Sequence, residues 1–343
     1  MKKRLFSFSV IVFALAVYSC TKESVVGNDN LTGTPIIVSI ENPVISEEGE
    51  EPDSKVSFVG VQANGRYRYN WDTTDKFYVY SYSWSKSLVT YWGPFSYHSA
   101  SSTDNAANFK GMIPDGFSTT THGDTLIAIH SAYTTFNKNT LVRSGTKGRY
   151  DFKFNIPDVQ DGTGFKYCLI TSKQLGTSGV LGWDATNNNF TGKQFAIYCG
   201  LCRVLVPVSG IKTLKITMSY GVSDANQYLV SDGSKADLNY NCNGSALSGG
   251  GSRTLTIYNN NQDLGEVFFA CRQTQTNNTY GCCTLTFECT HSNGKTVTKR
   301  KVLAKDITYE NGVAKTANTY YGISQYSRLT NLGTIPITAA DFE

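Results

Sequence analysis

The chain has 343 residues, with 31 Lys and Arg against 27 Asp and Glu. Three of the basic residues lie within the first four positions, so the rest of the chain is nearly neutral, which argues against nucleic acid as a partner. The 21 Tyr and 18 Phe, with only 3 Met, favour strands and turns over helices. Beyond the N-terminus, the longest apolar run, Phe195 to Val208, is too short to span a membrane and contains Arg203.

The N-terminus has the pattern of a bacterial lipoprotein signal peptide. Basic residues 1–4 precede an apolar run at 5–17, and a small residue stands directly before Cys20. The thiol of Cys20 would accept a diacylglyceryl group, and a signal peptidase would then remove residues 1–19. The alternative is a transmembrane anchor, but the run is shorter than the about 20 residues that a spanning helix needs. The polar residues 20–33 predict a flexible tether between lipid and fold.

The rest of the chain predicts an all-β protein of the sandwich or barrel type, because short β-branched and aromatic runs alternate with turn residues. The predicted strands are 34–41, 56–60, 77–84, 87–93, 107–113, 125–130, 150–156, 165–172, 195–208, 212–219, 228–240, 254–258, 266–271, 283–290, 296–303 and 313–327. The five acidic residues and two prolines of 42–54 predict an exposed loop. The Gly-, Asn- and Thr-rich stretch 176–192 predicts a domain boundary. We therefore expect tandem domains at 34–190 and 191–328, followed by an appendage at 329–343.

The cysteines are suited to disulfide bonds in an exported protein. Setting Cys20 aside leaves eight, an even number, and seven of these lie between Cys199 and Cys289. Eight cysteines allow 105 pairings, and spacing does not choose among them. Cys199 and Cys202 have the C-x-x-C spacing of redox and zinc sites, but they lie in an apolar run without the helix N-terminus that lowers a thiol pKa. We interpret them as core or disulfide cysteines, with a redox or zinc site as the alternative.

Catalytic motifs are missing from the sequence. None of the 4 His residues is four positions from another, and neither H-E-x-x-H nor G-x-S-x-G occurs. Gly294, Lys295 and Thr296 copy the end of a P-loop, yet Cys289 stands where that loop needs a glycine. The dipeptide Asn293-Gly294 predicts a hairpin turn instead. We predict a non-enzymatic protein without a cofactor or metal.

Aromatic residues cluster between positions 67 and 92. If Trp84 and Trp92 are exposed, they could stack on sugar rings, and the chain would be a monomeric surface lipoprotein that binds glycans. The alternative is ordinary packing. Tyr78, Tyr80 and Tyr82 share one face of a strand, and one face of that strand must belong to the core.

The order of these features resembles the fimbrillin-like family, the subunits of type V pili assembled on Bacteroidetes-type outer membranes. The match covers roughly residues 20 to 328, and each of its pieces is short. The segments that carry the resemblance are Cys20, the first strand Thr34 to Glu41, the block Trp71-Asp72, Asp75 and Val79-Tyr80, the strand Ala107 to Gly111, the passage Phe195 to Met218, the hairpin at Asn293-Gly294, and Tyr320-Tyr321.

The resemblance implies two β-sandwich domains, export as an outer-membrane lipoprotein, and assembly with other pilin subunits into a fimbria. Assembly would proceed by proteolytic removal of the first strand and donor-strand exchange, in which a segment of another subunit completes the sheet. The family's protease cuts after an arginine behind the first strand. Here Lys55 and Arg66 are the candidate sites, so this subunit is either cut after lysine or stays uncut, as an anchor would.

The C-terminal appendage is the candidate donor. Ile335 and Ile337 share one face of a strand, which is what insertion into a groove requires, and Phe342 is a further candidate. An inert tail is the alternative, because Pro336 removes a ladder hydrogen bond. The cysteines leave open a tip or accessory subunit whose partner is a glycan or protein on a host or bacterial surface.

Overall fold

The structure is a computed structural model of the chain. It describes residues 32–49, 67–68, 70–82, 89–102, 106–115, 125–131, 141–143, 150–172, 181–184, 186–187, 189–192, 195–220, 228–231, 238–241, 250–272, 283–310, 313–320, 323 and 328–343. Most of these residues lie in β-strands, and they also include two short 3₁₀ helices, Phe165–Tyr167 and Ala339–Phe342. The predicted all-β class is confirmed. Within the described ranges, no helix has the length and apolar character of a membrane span.

The described strands are numbered in chain order. The first twelve are β1 (Gly33–Glu41), β2 (Val44–Gly49), β3 (Tyr67–Arg68), β4 (Lys76–Tyr82), β5 (Val89–Ala100), β6 (Ala106–Pro114), β7 (Thr125–His130), β8 (Leu141–Arg143), β9 (Tyr150–Phe154), β10 (Val159–Gln160), β11 (Ile170–Thr171) and β12 (Gly182–Asp184). The others are β13 (Asn189–Thr191), β14 (Ala196–Ile197), β15 (Gly200–Leu205), β16 (Ile211–Tyr220), β17 (Leu238–Asn241), β18 (Thr254–Tyr258), β19 (Glu266–Cys271), β20 (Cys283–His291), β21 (Thr296–Val302), β22 (Ala304–Glu310), β23 (Val313–Tyr320) and β24 (Arg328–Thr334).

Three larger sheets organise the fold. Sheet I has seven strands in the order β1-β6-β5-β4-β7-β11-β14. Sheet II has the order β10-β18-β16-β20-β21, and sheet III has the order β19-β15-β24-β2-β3. Smaller sheets join β17 with β9 and β8, β12 with β13, and β22 with β23. Alternate residues of β16, β18 and β20 are buried, as expected for strands with one face on a core and one in solvent.

Sheets II and III lie close together. Gly162 has a φ of +88°, and a Cβ built there would lie 3.4 Å from Ile257 in sheet II and 3.8 Å from Val267 in sheet III. One edge of sheet II is formed by β21, the strand that carries Lys299, Arg300 and Lys301, and the two-residue β10 forms the other. The hairpin from β20 to β21 turns at Gly294, with a φ of +88°, which confirms the turn predicted from Asn293-Gly294.

Several strands have the predicted limits. β7, β18 and β19 match them exactly, and 195–208 divides into β14 in sheet I and β15 in sheet III. Two expectations were wrong. Within the predicted acidic loop 42–54, the strand β2 pairs with both β24 and β3, because its backbone completes sheet III despite its acidic composition. Within the predicted strand 165–172, a 3₁₀ helix precedes the two-residue β11, because the backbone N–H of Tyr167 bonds the carbonyl of Gly164.

A bulge determines which aromatic residues enter the core of sheet I. The register of β4 and β5 passes from Val79 opposite Gly93 to Tyr80 opposite Tyr91, so Trp92 is the extra residue of a bulge, and the adjacent Gly93 has a φ of +84°. The bulge interrupts the alternation of faces, so Trp92 and Phe95 are both buried, at 1% and 0% exposure. In β4, Tyr80 is fully buried although it follows the equally buried Val79.

Strands from both sides of the predicted boundary share sheets. β10 pairs with β18 in sheet II, and β2 pairs with β24 in sheet III. β9 likewise pairs with β17. The division into two domains at residue 190 remains a prediction. If it exists, the two domains share strands, because these pairings join segments from both sides of residue 190.

The two faces of sheet I should differ in how strongly substitutions lower the free energy of unfolding. Phe109 is fully buried in ring contact with Trp71 and Phe77, whereas Ile37 on the neighbouring strand is 54% exposed. We expect Phe109→Ala to lower the free energy of unfolding by about 3–5 kcal/mol, because it leaves a cavity. Ile37→Thr, the matched control, should change it by less than about 0.5 kcal/mol. Urea unfolding followed by tryptophan fluorescence would measure both, and equal losses would contradict this assignment of faces.

Candidate assembly site at the first strand and the C-terminal segment

The first strand lies at one edge of sheet I. β1 pairs with β6 in an unbroken antiparallel register from Gly33 opposite Pro114 to Glu41 opposite Ala106, and among the described strands it pairs with no other. A strand bound along one side only can leave without breaking a second ladder. This is the geometry that removal of the first strand requires.

β1 also contributes to the core. Val38 and Ile40 are 1% and 0% exposed and lie opposite Phe109 and Ala107 of β6. Ile36, opposite Gly111, packs against the same core. Because these side chains alternate along β1, loss of the strand would open a row of apolar sockets beside the free backbone of β6.

The end of β1 is held by the turn that begins at Trp71. The indole Nε1 of Trp71 donates to the carbonyl of Glu41 at 3.2 Å, and the Trp71 ring meets Phe109 and Phe195 edge to face. The carboxylate of Asp75 accepts the backbone N–H of Asp72 at 2.7 Å, which closes the turn. The Trp71-Asp72 and Asp75 block therefore anchors the C-terminal end of β1.

Trp71 also packs on a buried histidine. The ring of His130 meets Trp71 edge to face at 5.2 Å, and its Nδ1 donates to the carbonyl of Lys76 at 2.7 Å. Its Nε2 lies 3.5 Å from the carboxylate of Asp75. Burial lowers the pKa of His130 and outweighs the opposing effects of the Asp75 carboxylate and the Lys76 carbonyl. Sequence inspection missed this pair because Asp75, in the turn before β4, and His130, at the end of β7, are far apart along the chain.

After β1 the chain passes directly into sheet III. β2 begins three residues after β1 ends and runs parallel to β24, with Ser46 opposite Arg328 and Gly49 opposite Asn331. The predicted processing residues Lys55 and Arg66 follow β2 but lie outside the described residues, as do Cys20 and Trp84. Both processing residues lie after β1 and β2 in sequence, so a cut at either would place these two strands on one fragment.

The C-terminal segment, expected to be an appendage, begins as an interior strand. β24 lies between β15 and β2 and is parallel to both, and its Leu329, Asn331 and Leu332 are buried. Beyond β24, the backbone N–H of Ile335 donates to the carbonyl of Leu205 at 2.9 Å. The backbone of residues 328–335 is therefore hydrogen-bonded within sheet III of the same chain.

The three side chains predicted to act as donors are buried within this chain. Ile335, Ile337 and Phe342 are 1%, 4% and 4% exposed. The Phe342 ring stacks on His291 at 5.4 Å, and its carbonyl accepts from the side-chain amide of Asn293 at 2.9 Å. An open cleft of about 500 Å³ lies beside this contact, lined in part by Pro207, Val208 and residues of the tail.

Hydrogen bonds and an ion pair also hold the last residues. The carboxylate of Asp341 accepts the backbone N–H of Thr338 at 2.7 Å and lies 3.3 Å from the ammonium group of Lys299. The Thr338 backbone N–H and Lys299 together lower the pKa of Asp341 below its ordinary value. The tail is therefore docked on the hairpin that ends sheet II.

Trp92, the described member of the predicted glycan-stacking pair, lies inside the protein. Its indole Nε1 donates to Ser81 at 3.3 Å, and its ring is packed against Trp183 and Phe190 of the β12–β13 hairpin. At 1% exposure the ring offers no face to a sugar in this structure. Among the described residues, no group of three or more His, Cys, Asp or Glu is placed to hold a metal ion.

Among known proteins, the chain is similar to two solved structures at low sequence identity. No family model and no curated protein matches the chain. A candidate cell adhesion protein from Bacteroides fragilis is similar over 88% of this chain and 94% of its own, with 11% identity and a TM-score of 0.34. A candidate adhesin from Bacteroides ovatus is similar over 88% of this chain and 91% of its own, with 10% identity and a TM-score of 0.24. Likenesses at these TM-scores carry no argument about function.

The burial of the tail leads to a prediction about stability. We expect Ile335→Ala to lower the free energy of unfolding by about 2–4 kcal/mol, since a large side chain leaves a closed core. Pro336→Ala, at an exposed neighbouring position, should change it by less than about 1 kcal/mol. Denaturant unfolding of the two variants tests this, and a neutral Ile335→Ala would show that the tail does not contribute to the monomer.

The lowered pKa of Asp341 predicts that acid weakens the hydrogen bonding at Thr338, where the last 3₁₀ helix begins. Because the folded pKa lies below the ordinary value of 3.8, the contact stabilises the docked tail above that value and is lost as the pH falls through the folded pKa. Amide hydrogen exchange at Thr338 should therefore accelerate below pH 3.8 in addition to its ordinary pH dependence. Asp341→Asn should abolish the extra acceleration, whereas Glu343→Gln should retain it. The same profile in Asp341→Asn would contradict this origin.

Proposed function

We propose that the chain is a structural or adhesive subunit of a type V-like fimbria, exported as an outer-membrane lipoprotein through Cys20 and assembled by donor-strand exchange. The observation that carries the proposal is the position of β1, a nine-residue strand at the edge of sheet I whose Val38 and Ile40 fill the core. A strand that is buried on one face yet bound by one neighbour is suited to replacement by a segment of another subunit.

Processing would open the subunit at two places. A cut at Lys55 or Arg66 separates β1 and β2 from the rest of the chain. Departure of β1 exposes the backbone of β6 and the sockets of Val38 and Ile40. Departure of β2 exposes the side of β24 that faces away from β15. The acceptor is therefore a groove in sheet I together with a free strand edge in sheet III.

The donor is the segment after β24. Ile335, Ile337 and Phe342 must leave their own subunit before entering the next, and exposing each of these side chains costs about 1.5–3 kcal/mol. The replacement contacts in the neighbour offset this cost. Residues 328–334 stay in place, because β24 remains paired with β15 after β2 has left. Undocking can thus be confined to residues 335–343.

The alternative, a monomeric lipoprotein that binds glycans through aromatic side chains, has less support. Its described candidate Trp92 is buried, and so are Trp71 and Tyr80 of the same aromatic cluster. The adhesive role that we include in the proposal leaves the receptor, a surface glycan or protein, undefined.

Limited proteolysis tests the proposal. The chain without residues 1–19 is treated with a low dose of trypsin and run unheated on SDS gels. We expect cleavage at Lys55 or Arg66, release of the fragment that contains β1, and ladders of multimers, because an open groove binds the tail of another subunit. Mass spectrometry would identify the fragment.

Variants make the result specific. Lys55→Ala with Arg66→Ala should abolish the ladders, while Lys22→Ala, in the predicted tether before β1, should leave them unchanged. Removal of residues 335–343 should abolish the ladders without preventing cleavage. A cleaved protein that stays monomeric, or ladders formed by the double variant, would count against donor-strand exchange.

A further inference from the structure

Four buried cysteines meet where the chain passes from sheet I to sheet III. Cys168 follows the first 3₁₀ helix, Cys199 and Cys202 flank the start of β15, and Cys271 ends β19. Each is no more than 1% exposed. The thiol of Cys168 contacts that of Cys199, and the thiol of Cys271 contacts that of Cys202. The C-x-x-C motif thus contributes one cysteine to each of two pairs.

The first pair continues an antiparallel ladder. Ile170 of β11 lies opposite Ile197 of β14, and the ladder extends one residue further because the N–H of Tyr198 donates to the carbonyl of Leu169 at 2.7 Å. The next step of that register places Cys168 directly opposite Cys199. Directly opposed residues on antiparallel strands have Cβ atoms about 4.5–5.5 Å apart, near the upper end of the range that a disulfide spans.

The second pair is diagonal across β15 and β19. Cys202 lies opposite Phe269 and Gly200 lies opposite Cys271, so both thiols are on the same face of sheet III. Their sulfur atoms are 3.8 Å apart. Gly200 leaves room for this approach, since a Cβ at that position would lie 3.2 Å from the sulfur of Cys271. Diagonal neighbours are about 7–8 Å apart, so a small movement of the two strands, together with side-chain rotation, must bring the sulfurs to the disulfide length of about 2 Å.

We propose that Cys168–Cys199 and Cys202–Cys271 are two disulfide bonds of the exported protein. In each reaction, one cysteine thiolate attacks the disulfide of an oxidant, which forms a mixed disulfide and releases one thiolate of the oxidant. The second cysteine thiolate then attacks the mixed disulfide, forms the bond between the two cysteines and displaces the oxidant's other thiolate. The pair loses two electrons and two protons, and the oxidant is reduced to two thiols. Export, predicted from residues 1–20, supplies the oxidising compartment. The described residues bring together no metal-binding group, which distinguishes this cluster from a zinc site.

The surroundings determine when the bonds form. Burial, with the neighbouring thiols, raises the pKa of Cys168 and Cys271 well above the ordinary value, so the folded core disfavours the reactive thiolate. The bonds therefore form during folding, before β19 closes over β15. Once formed, they fasten β15 to the 3₁₀ helix on one side and to β19 on the other. This inference is independent of fibre assembly.

Mass spectrometry tests the pairing. The full chain is recovered from the cell envelope of an expressing bacterium, unfolded in the presence of N-ethylmaleimide, and digested without a reductant. We expect peptides linked through Cys168–Cys199 and through Cys202–Cys271, whereas Cys289 should carry the alkyl group. Recovery of these four cysteines as alkylated thiols, or linked in another combination, would overturn the proposal.

Two variants and a reductant complete the test. Cys202→Ser should leave Cys271 alkylated and the Cys168–Cys199 link intact, while Cys289→Ser, at another buried position, should leave both links unchanged. Reduction of the unmutated protein should lower its melting temperature by roughly 5–15 °C, because the unfolded chain gains conformational freedom. A melting temperature that does not respond to reductant would contradict a structural role for the two bonds.

Discussion

The parallel pairing of β2 with β24 joins the two ends of the described chain in one sheet. β24 lies between β15 and β2, so the order of sheet III depends on a segment near residue 46 and another near residue 330. Such a distant pairing closes late, because the entropy of the intervening chain opposes it until other contacts have formed. The same pairing links the first strand to the C-terminus. Any event that removes β1 and β2 also changes the environment of β24.

The two ends of the chain are held by different means. β1 is held along one side by backbone hydrogen bonds, by alternating apolar side chains, and at its C-terminal end by Trp71. The segment after β24 is held by three large side chains and by contacts of Asp341 and Phe342 with the β20–β21 hairpin. Both ends therefore make contacts that stabilise the folded chain. The proposed exchange therefore replaces one set of backbone and apolar contacts by another of similar kind. Because the free energies of the two sets are similar, the exchange needs no nucleotide hydrolysis to drive it.

Much of the fold could be predicted from local sequence, because strand periodicity and turn chemistry are local properties. The limits of β18 and β19 and the turn at Gly294 follow from alternation and from the Asn-Gly dipeptide. β2 was missed because its backbone is ordered by pairing with β24, a partner that lies far away in sequence. For Trp92 the sequence left stacking on sugars and packing in the core both open, because the bulge beside Gly93 determines the face on which the ring lies. The Asp75–His130 pair and the cysteine pairs likewise depend on contacts between strands, which spacing along one strand does not reveal.

The strand β21 affects how copies of the chain can meet. An open sheet edge presents unsatisfied backbone groups that recruit strands from other molecules, and consecutive basic side chains discourage this by mutual repulsion. Lys299, Arg300 and Lys301 give the β21 edge of sheet II this protection, whereas β1, at one edge of sheet I, bears no basic residue. Pairing of a further strand with β21 is therefore disfavoured by charge. The β1 edge has no such charge barrier, and it is the edge at which the proposed exchange would take place.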